Sequence, residues 1–257
     1  MHTRYPIVLV KGVLMRDGAR KRAFGEIEWL LREAGFCVFT APIDAVGSIE
    51  TNAVQLKYYI MQLLTREGAE KVNLIAHSKG GLDTRYMIEY LEMRAHVASV
   101  TFLGTPHNGS QVASRLNALP FFIKTPLVHT VNLCYRALGD RAPDAARACL
   151  QLCHNPQGVL QNSGGVMQDI FMQSFSGFLE KGRDDLLLAL PFLLFRDSAC
   201  DGLVSEESSR FARYRGHCAP GSVSHLAMVD FMSRQQTKRK VYAFYLSLCR
   251  ELALRGF

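Results

Sequence analysis

The sequence predicts an α/β fold, a mostly parallel sheet with helices on both faces, interrupted by a helical insertion. Three observations carry this. The first hundred residues alternate short apolar runs with amphipathic stretches, as strands separated by covering helices do. One run, Val72-Asn73-Leu74-Ile75-Ala76, passes through a tight turn of small residues straight into a helix. Residues 110–170 then hold no clear strand and much helical periodicity. At 257 residues and 48% hydrophobic, the chain can bury one full core. A single domain over 1–257 is therefore expected, with the insertion at about 110–170 forming a cap over the strand ends.

The elements follow in order. Strands are expected at 5–10, 36–41, 71–76 and 97–104, with helices at 22–34, 48–68 and 78–94 between them. The helix after residue 78 carries Leu82, Tyr86, Met87 and Tyr90 at helical spacing, with Asp83 in its first turn. In the insertion Leu127, Val131, Cys134 and Leu138 share one face, preceded by Phe121-Phe122-Ile123. A strand resumes at 170–176, and a final helix covers 235–254. Parallel sheets bind ligands at the carboxyl ends of their strands, where Lys11-Gly12, Ser78 and Thr105-Pro106-His107 fall.

Composition excludes some classes. The longest apolar run, 186–195, has ten residues and contains Pro191, so no transmembrane segment is expected. A strand begins almost at Met1, which argues against a signal peptide and for a cytoplasmic location. The net charge is +7, without a nucleic-acid motif. One denser basic run, 234–240, opens the last helix, whose stripe is Val241, Phe244, Tyr245, Leu248 and Leu252. It reads either as a solvated helix end or as a point of transient contact with an anionic lipid surface. Seven cysteines without a secretory signal imply reduced, buried thiols. Cys149 and Cys153 lie four apart, but no second Cys/His pair completes a metal site.

The turn after the third strand, Ala76-His77-Ser78-Lys79-Gly80, has the layout of a nucleophile elbow. Such a turn presents the Ser hydroxyl at the sheet rim, with free N–H groups of the following helix aimed at developing negative charge. The five-residue pattern arises by chance in roughly one chain in five of this length, so its strand-to-helix context is what gives it weight. A Ser nucleophile needs a base, and the base needs a carboxylate to fix its tautomer. Where the Ser sits on an elbow, acid and then His follow it in the chain. His225, in a loop entering a helix, is the candidate base, with His217 the competitor. Asp201, followed by Gly202 at a turn, is the candidate acid, with Asp197 the runner-up. His77 reads as packed beneath the elbow, His107 as a loop organiser, and Asp83 with Arg85 as a surface or packing charge pair.

Six blocks, YPIVLVKGV, VNLIAHSKGG, LGTPHNGS, QSFSG, DGLVS and SHLAMVD, stand in the order and spacing of bacterial triacylglycerol lipases. The chain thus resembles that α/β-hydrolase-fold family over about residues 4–232, and most of all its signal-less clostridial-type members. The resemblance implies ester hydrolysis of acyl or lipid esters through an acyl-enzyme, without a cofactor. It implies Ser78 as nucleophile, Asp201 as acid and His225 as base, with the main-chain N–H groups of Val13 and Lys79 forming the oxyanion hole. An acyltransferase on the same triad, and a hydrolase-fold binding protein without turnover, are the alternatives. Two departures stand out. Lys11-Gly12 replaces the family's His-Gly before the oxyanion loop, and an ion pair with Asp17 could do that His's work. Some relatives bind calcium through an Asp two residues after the catalytic His; Ala227 stands there, so no metal is expected.

Overall fold

A computed structural model describes residues 2–16, 23–153, 169–193, 198–231 and 233–257. Six strands form one sheet in the order β2-β1-β3-β4-β5-β6: β1 (Ile7–Val10), β2 (Val38–Thr40), β3 (Val72–His77), β4 (Val97–Leu103), β5 (Phe171–Ser176) and β6 (Arg213–His217). Every pairing is parallel. Side chains alternate across a strand, so one sequence feeds two cores. Ile7, Leu9 and Ile75 point to the face covered by α1 (Ile27–Glu33) and the C-terminal helix (Gln235–Leu254). Val8, Val10, Leu74 and Ala76 point to the face covered by α2 (Ile49–Glu67) and α3 (Lys79–Tyr90). Burial on both faces is why these strands read as unbroken apolar runs. The polar residues inside the sheet are paired: Ser99 Oγ donates to Asn73 Oδ1 at 2.7 Å.

Between β4 and β5 the chain inserts α4 (Gln111–Asn117), α5 (Phe121–Ala137) and α6 (Ala145–Gln151). The insertion's apolar face is split. Leu127 and Val131 line a cavity, whereas Leu138 and Cys134 turn to solvent.

Three differences from the sequence expectations have physical causes. The first helix begins at Ile27 rather than residue 22, after the left-handed Gly25. The third ends at Tyr90, where Glu92 takes φ 59° and breaks the helical path. The strand β6 was not expected, because Arg213-Tyr214-Arg215-Gly216-His217 has no apolar run; it lies at a half-exposed sheet edge and joins through backbone pairing with β5. His217, the competitor base, is therefore a strand residue, stacked on Phe178 and bonded to Glu206 at 3.1 Å. All seven cysteines are free, but Cys37 and Cys134 are exposed rather than buried. Among the described residues no helix is long and apolar enough to cross a membrane.

Candidate active site

Ser78 sits between β3 and α3 with φ 54° and ψ −131°, a left-handed conformation that a non-glycine residue holds at a cost of about 1–3 kcal/mol. Packing keeps it there. A Cβ on Gly80 would lie 2.5 Å from the Lys11 carbonyl oxygen, and one on Gly12 would lie 2.8 Å from Ser78 Cβ. The elbow and the loop after β1 therefore touch backbone to backbone, which only glycine permits.

The loop after β6 carries His225 to the same rim. The main-chain N–H of His225 donates to the Asp201 carbonyl at 2.9 Å, and reciprocal bonds between Phe178 and Val223 fix the preceding residues. Asp201 lies after β5, in a turn whose Gly202 takes φ 101°. Its Oδ1 accepts from the N–H groups of Leu203 and Val204 at 2.9 and 2.8 Å. Its Oδ2 lies 2.7 Å from His225 Nδ1. Both side chains are buried, where such a charge-assisted contact is strong. With Nδ1 bonded to Asp201, His225 has Nε2 left for other chemistry.

Ser78 and His225 open together onto a cavity of about 310 Å³. Its walls are almost wholly apolar: Val13 and Val46 from loops, Leu116 from α4, Val131 from α5 and Ala148 from α6. Ligand pockets of this size and character are ordinary for small apolar substrates. Val13 lines the same cavity as Ser78, and Lys79 heads α3, where the N–H groups of the first turn have no intrahelical partner.

The remaining sequence candidates sort clearly. His77 is fully buried; its Nε2 lies 3.0 Å from the His225 carbonyl oxygen, and the two rings are 4.5 Å apart. Burial, then the neighbouring His225, pushes its pKa well down, so it stays neutral. His107 is half-buried, packed against the rings of Phe102 and Phe211 and bonded to Arg85 at 3.3 Å. The expected pairing of Asp83 with Arg85 is replaced by two buried i,i+4 pairs. Lys79 Nζ meets Asp83 Oδ1 at 2.6 Å, and Arg85 meets Glu89 at 3.2 Å. Residues two apart point to different sides of a helix, whereas residues four apart share one. Burial raises Asp83 to about 6 against the pull of Lys79. Lys11 is buried. Its suggested partner Asp17 and the runner-up acid Asp197 lie outside the described residues. Ala227 opens a short buried turn after His225, and among the described residues no group of three metal-binding side chains occurs.

Comparison with known proteins agrees with the motif reading. Residues 40–158 match the family described as "Putative serine esterase (DUF676)". Triacylglycerol lipase 2 of Saccharomyces cerevisiae is 27% identical over 90% of this chain and 73% of its own length. The triacylglycerol lipase of Vibrio cholerae is 43% identical over 112 residues; the match spans 43% of this chain and only 35% of that lipase. In structure, a metagenomic carboxyl esterase superposes with a TM-score of 0.76 over 97% of this chain and 76% of its own, at 17% identity, a likeness of fold. The chain has the α/β-hydrolase fold and is a serine ester hydrolase, similar in sequence to putative serine esterases and triacylglycerol lipases.

Proposed function

We propose that this serine ester hydrolase works through an acyl-enzyme formed on Ser78, with His225 as base, Asp201 as acid, and Val13 and Lys79 N–H groups as oxyanion donors. The observation that carries the reading is that Ser78 and the Asp201-bound His225 both line one apolar cavity. His225 Nε2 takes the hydroxyl proton as Ser78 Oγ attacks the ester carbonyl. The two N–H groups stabilise the oxyanion, and His225 returns the proton to the leaving alcohol. Water then repeats the cycle on the acyl-enzyme, and no cofactor enters. The acyl chain lies among Leu116, Leu127, Val131 and other apolar side chains of a cavity to which Asn117 and Lys124 add polar groups. A fluorophosphonate probe should label Ser78 stoichiometrically, and p-nitrophenyl esters should be hydrolysed with acyl chains preferred over acetyl. An unlabelled Ser78 in folded protein would favour a binding role without turnover, and ester formation with added glycerol would favour an acyltransferase.

In the same reading the helices α4–α6 act as a cap, and the outer side of α5 touches lipid aggregates. What favours this is that α5 has no buried residue and begins with Phe121 and Phe122, 78% and 66% exposed. Apolar patches of that kind mark interaction surfaces.

Lys11 in place of the family's His does not remove a donor, because the hole uses main-chain N–H groups. Lys11→His is expected to change kcat by less than about tenfold, measured on a soluble ester. A thousandfold rise would mean that the native loop lacks a working donor, a loss of the size expected for one oxyanion-hole group.

A further inference from the structure

The loop that bears Val13 contains a second strained residue, Leu14, with φ 62°. A side chain in the left-handed region persists only where its surroundings over-determine it. Both main-chain groups of Leu14 are tied. Its N–H donates to the Ala45 carbonyl at 2.8 Å, and its own carbonyl accepts from the Tyr135 hydroxyl at 2.8 Å. Tyr135 belongs to the last turns of α5, 121 positions along the chain. The Ala45 side of the loop is held from the same place. Asp140, just beyond α5, accepts from the N–H groups of Ala45 and Val46 at 2.8 and 3.0 Å through Oδ2. Its Oδ1 accepts from Arg16 Nη1 at 2.7 Å. Asp140 is itself set by its N–H bond to the Tyr135 carbonyl at 2.9 Å. Burial, and then the charge of Asp140, pushes the Tyr135 phenol up in pKa, so it keeps the proton that it donates.

From this clamp we infer that Tyr135 is a positioning residue for the oxyanion hole, so that the C-terminal end of α5 fixes where the Val13 N–H points. The inference rests on the reading of Val13 as an oxyanion donor. It also gives the loop a support that does not depend on the residue at position 11. Without the Tyr135 hydroxyl, Leu14 is held only through its N–H to Ala45, and its carbonyl side can rotate toward negative φ. That rotation displaces the neighbouring Val13 peptide, and a shift of about 1 Å at a catalytic group can cost on the order of a hundredfold in rate.

Tyr135→Phe removes only the hydroxyl. It should lower kcat on a soluble ester at least tenfold, with KM changed less than about threefold, and slow fluorophosphonate labelling in parallel, the pattern of a lost transition-state interaction. Hydrogen exchange at the Leu14 amide should become faster. On that background, Leu14→Gly should recover part of kcat, because glycine adopts positive φ without strain. Two results overturn the inference alone: an unchanged kcat in Tyr135→Phe while wild-type Ser78 labels normally, or a fall in kcat with Leu14 exchange unchanged. Failure of the wild-type protein to label overturns the acyl-enzyme reading and this one with it, while Leu14 exchange still reports on the clamp.

Discussion

Ser78→Ala is expected to lower kcat by about 10⁴- to 10⁶-fold while leaving the protein folded. The change deletes one oxygen and keeps Cβ, so the contact with Gly12 and the left-handed backbone at the elbow remain. Removal of a triad nucleophile leaves only the catalysis supplied by binding and the oxyanion hole, which is the basis of the range. Initial rates on a p-nitrophenyl ester, with thermal unfolding recorded on the same sample, check both halves. The elbow adds a second, independent expectation. Because Ser78 is held at φ 54°, Ser78→Gly should be equally inactive but more stable than Ser78→Ala by about 1 kcal/mol, as glycine carries no left-handed penalty. Equal melting temperatures for the two variants would mean that the elbow stores no strain, and substantial residual turnover in Ser78→Ala would remove Ser78 from the mechanism.

Asp201→Asn is the next largest expected effect, about 10⁴-fold in kcat, or roughly 5.5 kcal/mol of barrier. The reason lies in its hydrogen bonds. Oδ1 accepts from two N–H groups, of Leu203 and Val204, and a side-chain NH₂ placed there would face two donors. The Asn must therefore keep its carbonyl oxygen on those N–H groups and turn its NH₂ toward His225 Nδ1. Nδ1 then becomes an acceptor, the ring proton moves to Nε2, and the imidazole presents a proton where it should take one. The loss should appear in kcat rather than KM, because no cavity wall changes. A retained kcat, or a loss accounted for by unfolding, would reassign the acid.

Much of this was legible in the chain. The apolar runs of β1, β3 and β4 marked buried parallel strands, and the small residues around Ser78 marked a turn where backbones touch. The candidate acid and base follow the elbow in chain order, and Asp201-Gly202 gave the turn that the fold builds, with glycine in the left-handed region. Other features had no local signal. Strand β6 is polar on both faces because an edge strand needs backbone partners more than apolar ones. The partners of Asp83 and Arg85 were misread although the i,i+4 spacing to Lys79 and Glu89 was present. Burial, which the sequence does not print, turned those spacings into ion pairs.

The sequence by itself determined the class of fold and the parallel direction of its first four strands, because periodicity acts over a few residues, while the three side chains proposed for catalysis followed from the resemblance of its motifs to those of lipases. Only the tertiary structure decided the shape of the cavity, the face that α5 turns to it, and the support of the loop that carries Val13. Those depend on hydrogen bonds such as Tyr135 to Leu14 and Asp140 to Ala45, between residues 121 and 95 positions apart. Nothing in either local segment encodes its partner. The pairing exists only once the sheet has brought the two segments to the same rim.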